Sequence, residues 1–467
     1  MRYARGFCFS STSRVKLPPH WRQRAFGLGG LAWDERVGAC FGQSGSGISV
    51  ALIGRAIDLE AGSPDLKDIV RSLLSAREIS VGAMQEVINR LCGRFLVVDF
   101  DGIRCRLQQD AAGMRTVYYT NSGEDWLVAS HAALVSELMG GAEASEFGDH
   151  WRAGGTHILT GAYGYPGRSS AYRDVFALTP NTALDVQRGT VERVYPLAPP
   201  VKGNSVDVGC ELAKIFAGQL RLLAQQSPLL VSLTSGLDSR VTLAAAKRVA
   251  HSGAEFFTYS PPTHQRDVEI ALELAEAFGL QHHLLDLSSY RDFTPGFLGM
   301  IRKNAPRRHA TRAAFAYTQV FPQQALHVRS NHYEIGRVFF LKHRPKNPRM
   351  HPETMQKLLL GKQGVESPLT LRAFAEWQDF VDFAYDSGYL PHDLFYWEHR
   401  MSRWCAENLC ESDIAFDTWA VVNSRKVYEM MLSLDFEDRL SGRAFLEVIR
   451  QMWPELLEYP INGNLLN

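Results

Sequence analysis

Leu229-Leu230-Val231-Ser232-Leu233-Thr234-Ser235-Gly236-Leu237-Asp238-Ser239-Arg240 is the stretch on which the fold turns. Leu229 to Leu233 is an apolar run of strand length, and Arg240 to His251 has helical spacing, with small and hydroxylated residues between them. That order predicts a buried strand, a tight loop and a helix. Working outward, Val206 to Gln226 fits an amphipathic helix, Glu255 to Tyr259 a strand, Asp267 to Phe278 a helix and His283 to Leu287 a strand. Strands alternating with helices of this length imply right-handed crossovers, and hence an α/β fold with a doubly wound parallel sheet. Ligand sites in such sheets lie at the carboxyl ends of the strands, and the loop after Leu233 is one such end.

A strand-to-helix turn offers unpaired backbone N–H groups and the positive end of the helix, which together hold an anion. Thr234, Ser235 and Ser239 add hydroxyl donors, and Gly236 allows close backbone approach. Asp238 would repel a bare phosphate, so in a phosphate loop it makes best sense holding a Mg²⁺ that bridges phosphate oxygens. The competing reading is that the loop only caps a helix.

The chain has 467 residues, enough for two or three domains. Apolar residues make up 45% and charged residues 21%, the balance of a soluble globular protein. Lys plus Arg and Asp plus Glu are 50 each, so net charge gives no reason to expect a nucleic-acid partner. The seven cysteines are scattered without a Cys-x-x-Cys pair, which suggests reduced thiols and no zinc site. No apolar run reaches the roughly 18 residues of a membrane span, and residues 1–14 lack the apolar core of a secretion signal. A cytoplasmic protein that does not enter membranes is expected.

Upstream, Arg94 to Val98, Arg104 to Leu107, Thr116 to Tyr119 and Leu127 to Ala129 alternate with turns, which is strand and hairpin chemistry. Breakers at Gly154-Gly155, Pro166-Gly167 and Pro180-Asn181 follow, and Pro196 to Gly203 is dense enough in them to read as a linker. The expected domains are therefore 1–195 and 200–467. Beyond residue 290 the chain reads as mainly helical.

Thr234 to Ser239 resembles the pyrophosphate loop Ser-Gly-Gly-Leu-Asp-Ser of the asparagine synthetase family, matching four of six positions. Phe256 to Tyr259, Arg266 to Ala271 and Gly279 to His283 are similar to the elements that follow in that family, as are Leu91 to Phe95 and Gln109 to Tyr119 to its N-terminal amidohydrolase-type domain. The resemblance implies an αββα sandwich followed by an ATP pyrophosphatase domain with a helical C-terminal part. It implies ATP and Mg²⁺ as cofactors, with Leu233, Thr234, Ser235, Gly236, Leu237, Asp238, Ser239, Thr258, Tyr259 and Ser330 around the nucleotide. The family's second metal motif aligns with Arg329 to Arg337, which puts Tyr333 at its Asp position and leaves Glu334 as the replacement carboxylate. Asp238 and Glu334 are thus the expected metal ligands. The family's pyrophosphate-contacting lysine corresponds to Arg443, so Glu334 and Arg443 are the expected catalytic pair.

The family's N-terminal nucleophile is a cysteine exposed by removal of Met1, and here position two is Arg2. Arginine cannot replace it, and Cys8 has no free amine of its own. The glutamine-binding Asn-Gly-Glu corresponds to Ile53-Gly54-Arg55, with the last charge reversed. The first domain is therefore expected to be degenerate and without glutaminase activity, as in the β-lactam synthetases.

Arg329, Arg337 and Arg240 are weighed as phosphate contacts against surface ion pairs. The clusters Arg302 to Arg312 and Lys342 to Arg349 read as solvated faces, and His327, His332 and His399 as structural. The expected reaction is ATP-dependent amide formation through an acyl-adenylate, from a small-molecule or peptide carboxylate and an amine, with a homodimer allowed. The rival readings are a non-catalytic ATP-binding partner and a nucleic-acid-modifying ATP pyrophosphatase.

Overall fold

The computed structural model describes residues 2–11, 17–122, 125–148, 164–260, 265–305, 310–342, 349–361 and 366–464. Gly154-Gly155, Arg307, Arg308 and residues 343–348 of the second basic cluster lie outside them.

Twelve strands come first: β1 (Phe7–Ser10), β2 (Trp21–Phe26), β3 (Gly29–Asp34), β4 (Ala39–Gln43), β5 (Ser49–Asp58), β6 (Leu91–Phe100), β7 (Cys105–Gln109), β8 (Tyr118–Ser122), β9 (Asp125–Ala129), β10 (Phe176–Ala177), β11 (Thr182–Asp185) and β12 (Thr190–Arg193). They form two antiparallel sheets, ordered β10-β8-β9-β1-β3-β2 and β12-β11-β7-β6-β5-β4. Successive side chains of a strand face opposite ways, so a strand covered on both faces must be apolar throughout. β5 shows this: Ala51 and Ile53 pack with Phe7, Phe9 and Leu31 of the other sheet, while Val50 and Leu52 pack against Ile69, Leu73 and Ile88. Those last residues belong to helices Leu66–Ile79 and Val81–Arg90. On the far side, helix Ala132–Leu138 covers Cys8, Ala32 and Tyr118. The result is four layers, helix, sheet, sheet, helix.

Five further strands, β13 (Leu229–Ser232), β14 (Ala254–Ser260), β15 (His282–Asp286), β16 (Leu326–Val328) and β17 (Asp417–Trp419), make an all-parallel sheet ordered β15-β14-β13-β16-β17. Helices Ser205–Ala224, Leu237–Ala245 and Gln265–Ala277 connect or flank its first strands. β13, β14, β15 and the helices Ser205–Ala224 and Gln265–Ala277 lie within two residues of their positions read from the sequence, helix Leu237–Ala245 ends six residues short of the expected His251, and β16 and β17 interrupt a stretch expected to be mainly helical. Helix Leu237–Ala245 starts three residues earlier than expected, because Gly236 takes an extended conformation at its N-cap.

The two halves share one core. Ile57, Cys92, Ala111, Ala112 and Met114 pack with Leu212, Phe216 and Trp397. Arg94 of β6 makes two bonds to Asp413, 2.5 and 2.7 Å long, with both side chains buried. Asn423 donates to Asp110 at 2.8 Å, and Trp397 Nε1 donates to the Ala111 carbonyl at 2.7 Å. Among the described residues no helix is long and apolar enough to cross a membrane.

Candidate active site

The chain runs from β13 outward through β14 to β15, then returns to β16 on the other side. Loops leaving the carboxyl ends of adjacent strands part at such a switch point and open a crevice. A cavity of about 530 Å³ lies there, lined by residues following β13, β14 and β16. Helix Leu237–Ala245 points its first turn at it, and its N-cap Gly236 supplies no side-chain hydrogen bond to the free N–H groups.

The loop before that helix is held by its own hydroxyls. Ser239 Oγ lies 2.9 Å from Thr234 Oγ1 and donates to the Thr234 and Gly236 carbonyls, while Gly236 N donates to Thr234 Oγ1 at 3.3 Å. Thr258, in β14, donates to the Leu233 carbonyl at 2.8 Å and so fixes the neighbouring strand end. Leu233, Thr234, Gly236, Leu237, Asp238 and Ser239 all line the cavity, as do Thr258, Tyr259, Ser330 and Glu334.

Four charges meet on one wall. Arg337 Nη1 donates to Asp238 at 3.3 Å and to Glu334 at 3.4 Å, and Lys342 Nζ donates to both oxygens of Glu334 at 2.7 and 2.9 Å. Burial, followed by the nearby Glu334 carboxylate, pushes Asp238 well above the usual carboxylate range. Among the described residues no group of three or more His, Cys, Asp or Glu is gathered for a metal. Mg²⁺, however, is commonly held by one or two carboxylates with phosphate oxygens and water completing its shell. Asp238 and Glu334 on one cavity wall fit that donor set, with Arg337 now standing between them.

Residues 214–295 match the asparagine synthase family model. The asparagine synthase match is confined to this segment. It contains the loop, Thr258 and Tyr259, and it stops before β16, so Ser330, Glu334, Arg337 and Lys342 fall outside the asparagine synthase match. No curated protein matches the chain. Among solved structures, glutamine phosphoribosylpyrophosphate amidotransferase from B. subtilis, complexed with ADP and GMP, is 12% identical over 78% of this chain and 74% of its own, with a TM-score of 0.25. The NH3-dependent NAD synthetase of Campylobacter jejuni is 12% identical over 43% of this chain and 93% of its own, TM-score 0.23. NMN synthetase from Francisella tularensis is 16% identical over 43% and 97%, TM-score 0.21. At scores this low the likeness decides neither fold nor function.

Several expected residues stand elsewhere. Ser235 is buried and bonds to Asp267 instead of lining the cavity. Arg443 is exposed, 2.7 Å from Asp438, and does not line the cavity. Arg240 is buried with its guanidinium on the carbonyls of Leu456, Tyr459 and Pro460, which removes it from phosphate. Tyr333, which the resemblance aligns with the family's Asp, is fully buried between Phe216 and Phe445, with its hydroxyl 3.0 Å from Thr242. Lys342, expected on a solvated face, is instead drawn into the cavity by Glu334.

Tyr317, Phe339, Asn462 and three residues of one helix also line the cavity without having been singled out in the sequence. The π-helix Phe395–Cys405 places Tyr396, Arg400 and Trp404 on the wall. Helices closed by i→i+5 bonds are rare and favour functional sites. The four-residue spacing of these side chains was the available signal. His327 and Arg329, at and just after the end of β16, complete that wall.

Proposed function

We propose that the protein is an ATP-dependent carbon–nitrogen ligase that activates a carboxylate as its acyl-adenylate. The observation carrying this reading is the convergence, at one sheet switch point, of an uncapped helix N-terminus, the carboxylates Asp238 and Glu334, and the cations Arg337 and Lys342. ATP phosphates lie along residues 234–239, held by backbone N–H groups and by the Thr234 and Ser239 hydroxyls. The adenine end lies towards Thr258 and Tyr259, and Ser330 borders the nucleotide. Bound Mg²⁺, held by Asp238 and Glu334, supplies charge neutralisation to the phosphates.

A substrate carboxylate oxygen attacks the α-phosphorus. The new P–O bond forms as the bond to the β-phosphate bridge breaks, and diphosphate leaves with the electron pair. Arg337 and Lys342 balance the charge that develops on diphosphate. A neutral amine then attacks the acyl carbon, AMP leaves, and the nitrogen gives its extra proton to solvent.

Residues 1–195 on this reading are a degenerate amidohydrolase-type domain and residues 200–467 the adenine-nucleotide hydrolase-like synthetase domain. The first lacks glutaminase activity, because Cys8 is buried in β1 with its thiol pushed up to about 12 by burial. The substrates are small-molecule or peptide carboxylates and amines, encountered in the cytoplasm. Diphosphate release from Mg-ATP, measured for wild type and Asp238→Ala with a panel of acids and amines, tests the proposal. Release that needs both the acid and Asp238 supports it; tight ATP binding without release points to a non-catalytic partner.

A further inference from the structure

The cavity wall away from the loop carries a charge pattern that bears on the acid. Only two acidic side chains line the cavity among the described residues, Asp238 and Glu334, and both are paired to Arg337 or Lys342. Arg329 lines the cavity with its Nε on the Asn331 side-chain oxygen and, among the described residues, no carboxylate within ion-pair distance. His327 is 2% exposed and, among the described residues, neither ring nitrogen has a hydrogen-bond partner.

The Trp404, Tyr396 and Phe339 rings, which could hold an organic cation, already carry the protein's own cations. The Arg400 guanidinium lies 4.7 Å from the Trp404 ring and 5.1 Å from that of Phe339, and Lys342 Nζ is 5.5 Å from Phe339. An α-ammonium entering here would be buried beside arginines with no counter-charge, a costly arrangement. A carboxylate would meet Arg329 in a charge-assisted hydrogen bond. The imidazole of His327, kept neutral by its burial, suits an amide N–H or carbonyl.

Resting on the ligase reading above, we infer that the activated acid carries no free α-ammonium group: it is an N-acylated amino acid, or an acid with a flat apolar skeleton. Arg329 pairs its carboxylate before transfer, His327 meets its amide, and Trp404 borders its side group. Free aspartate is excluded on this inference, and with it asparagine formation.

The test is exchange of labelled diphosphate into ATP by the full chain, which runs adenylation backwards and needs no amine. N-Acetylphenylalanine and 3-phenylpropanoate are compared with free phenylalanine and free aspartate. The first pair are expected to exceed the second by about tenfold or more in kcat/KM, the cost of an unpaired buried ammonium. Arg329→Met is expected to raise KM for N-acetylphenylalanine far more than KM for ATP, with partial recovery in Arg329→Lys. Free amino acids performing as well as their acetylated forms would overturn the inference while leaving the ligase standing, and so would an unchanged acid KM in Arg329→Met. No exchange with any acid, while ATP still binds, would remove the ligase reading and this inference together.

Discussion

Arg337 Nη1 stands 3.3 Å from Asp238 Oδ1, and the same nitrogen is 3.4 Å from Glu334. One side-chain cation thus separates two carboxylates that would otherwise repel each other across a half-buried wall. Arg337→Gln is expected to destabilise the protein by about 1–2 kcal/mol in metal-free buffer. Mg²⁺ should restore more stability to this variant than it adds to wild type, because the ion can occupy the vacated position. Urea unfolding of both proteins, with Mg²⁺ and with chelator, measures this. Equal metal effects would show that the pair does not bind the ion.

Lys342 and Arg443 separate what the sequence suggested from what the structure places at the cavity. Lys342 bonds both oxygens of Glu334, whereas Arg443 faces solvent beside Asp438. Lys342→Ala is expected to weaken ATP affinity about tenfold, the loss of one charge-assisted contact. Arg443→Ala should leave it nearly unchanged. Calorimetric titration with ATP decides, and a large loss in Arg443→Ala would restore the sequence-based assignment.

The parallel sheet was legible because its strands are apolar runs bounded by turns, as at Leu229 to Leu233 and Glu255 to Tyr259. The phosphate loop was legible because its residues are contiguous. Arg329, Arg400 and Trp404 were harder, since they come from the residue after β16 and a distant π-helix, and only the fold brings them to one wall. Ser235 fits the loop pattern by type, yet Asp267, 32 residues on, takes its hydroxyl. A one-dimensional motif does not say which member of a loop faces inward. Among the first strands, β2, β3 and β4 were passed over because no clean alternation of polar and apolar residues marks them.

Tyr333, aligned by resemblance with a metal-binding Asp, is held as a structural residue. Its hydroxyl and Ser330 both meet Thr242, at 3.0 and 2.8 Å, and its ring sits between Phe216 and Phe445. Tyr333→Phe is expected to cost about 1 kcal/mol, one net hydrogen bond. Tyr333→Asp, which introduces the residue that the resemblance implies here, should cost several times more by burying an acid in an apolar seat. Should Tyr333→Asp instead stay as stable as wild type and gain Mg²⁺ affinity, the site would be a metal position after all.

His131 gives the stability of the first half a pH dependence. Burial, then the Arg94 and Arg115 cations, push its pKa down to about 3, and its Nδ1 lies 2.7 Å from Ser130 Oγ. A histidine depressed in the folded state contributes stability that is fully present above its unfolded pKa of about 6.5 and is lost as pH falls towards the folded value. Its share of that loss approaches about 1.4 kcal/mol per pH unit below the unfolded pKa. His131→Leu should therefore flatten the fall in urea-unfolding free energy between neutrality and about pH 5. Parallel curves for variant and wild type would mean that His131 titrates normally.

Arg94 and Asp413 tie β6 to the segment that precedes β17, with two short bonds and both side chains 2% exposed. A charge pair taken this far from water repays its desolvation mainly through bond geometry, so removing one partner leaves the other buried and uncompensated. Asp413→Ala and Arg94→Met are each expected to cost about 3–5 kcal/mol, and the double variant less than their sum. Because this pair helps set the sandwich against the sheet whose β16 end carries Arg329, both single variants should also raise KM for the acid. A thermodynamic cycle from urea unfolding gives the coupling energy, and diphosphate exchange gives KM. Additive losses would mean that the two charges are held independently, and an unchanged KM would show that the acid's seat does not depend on how the halves are joined.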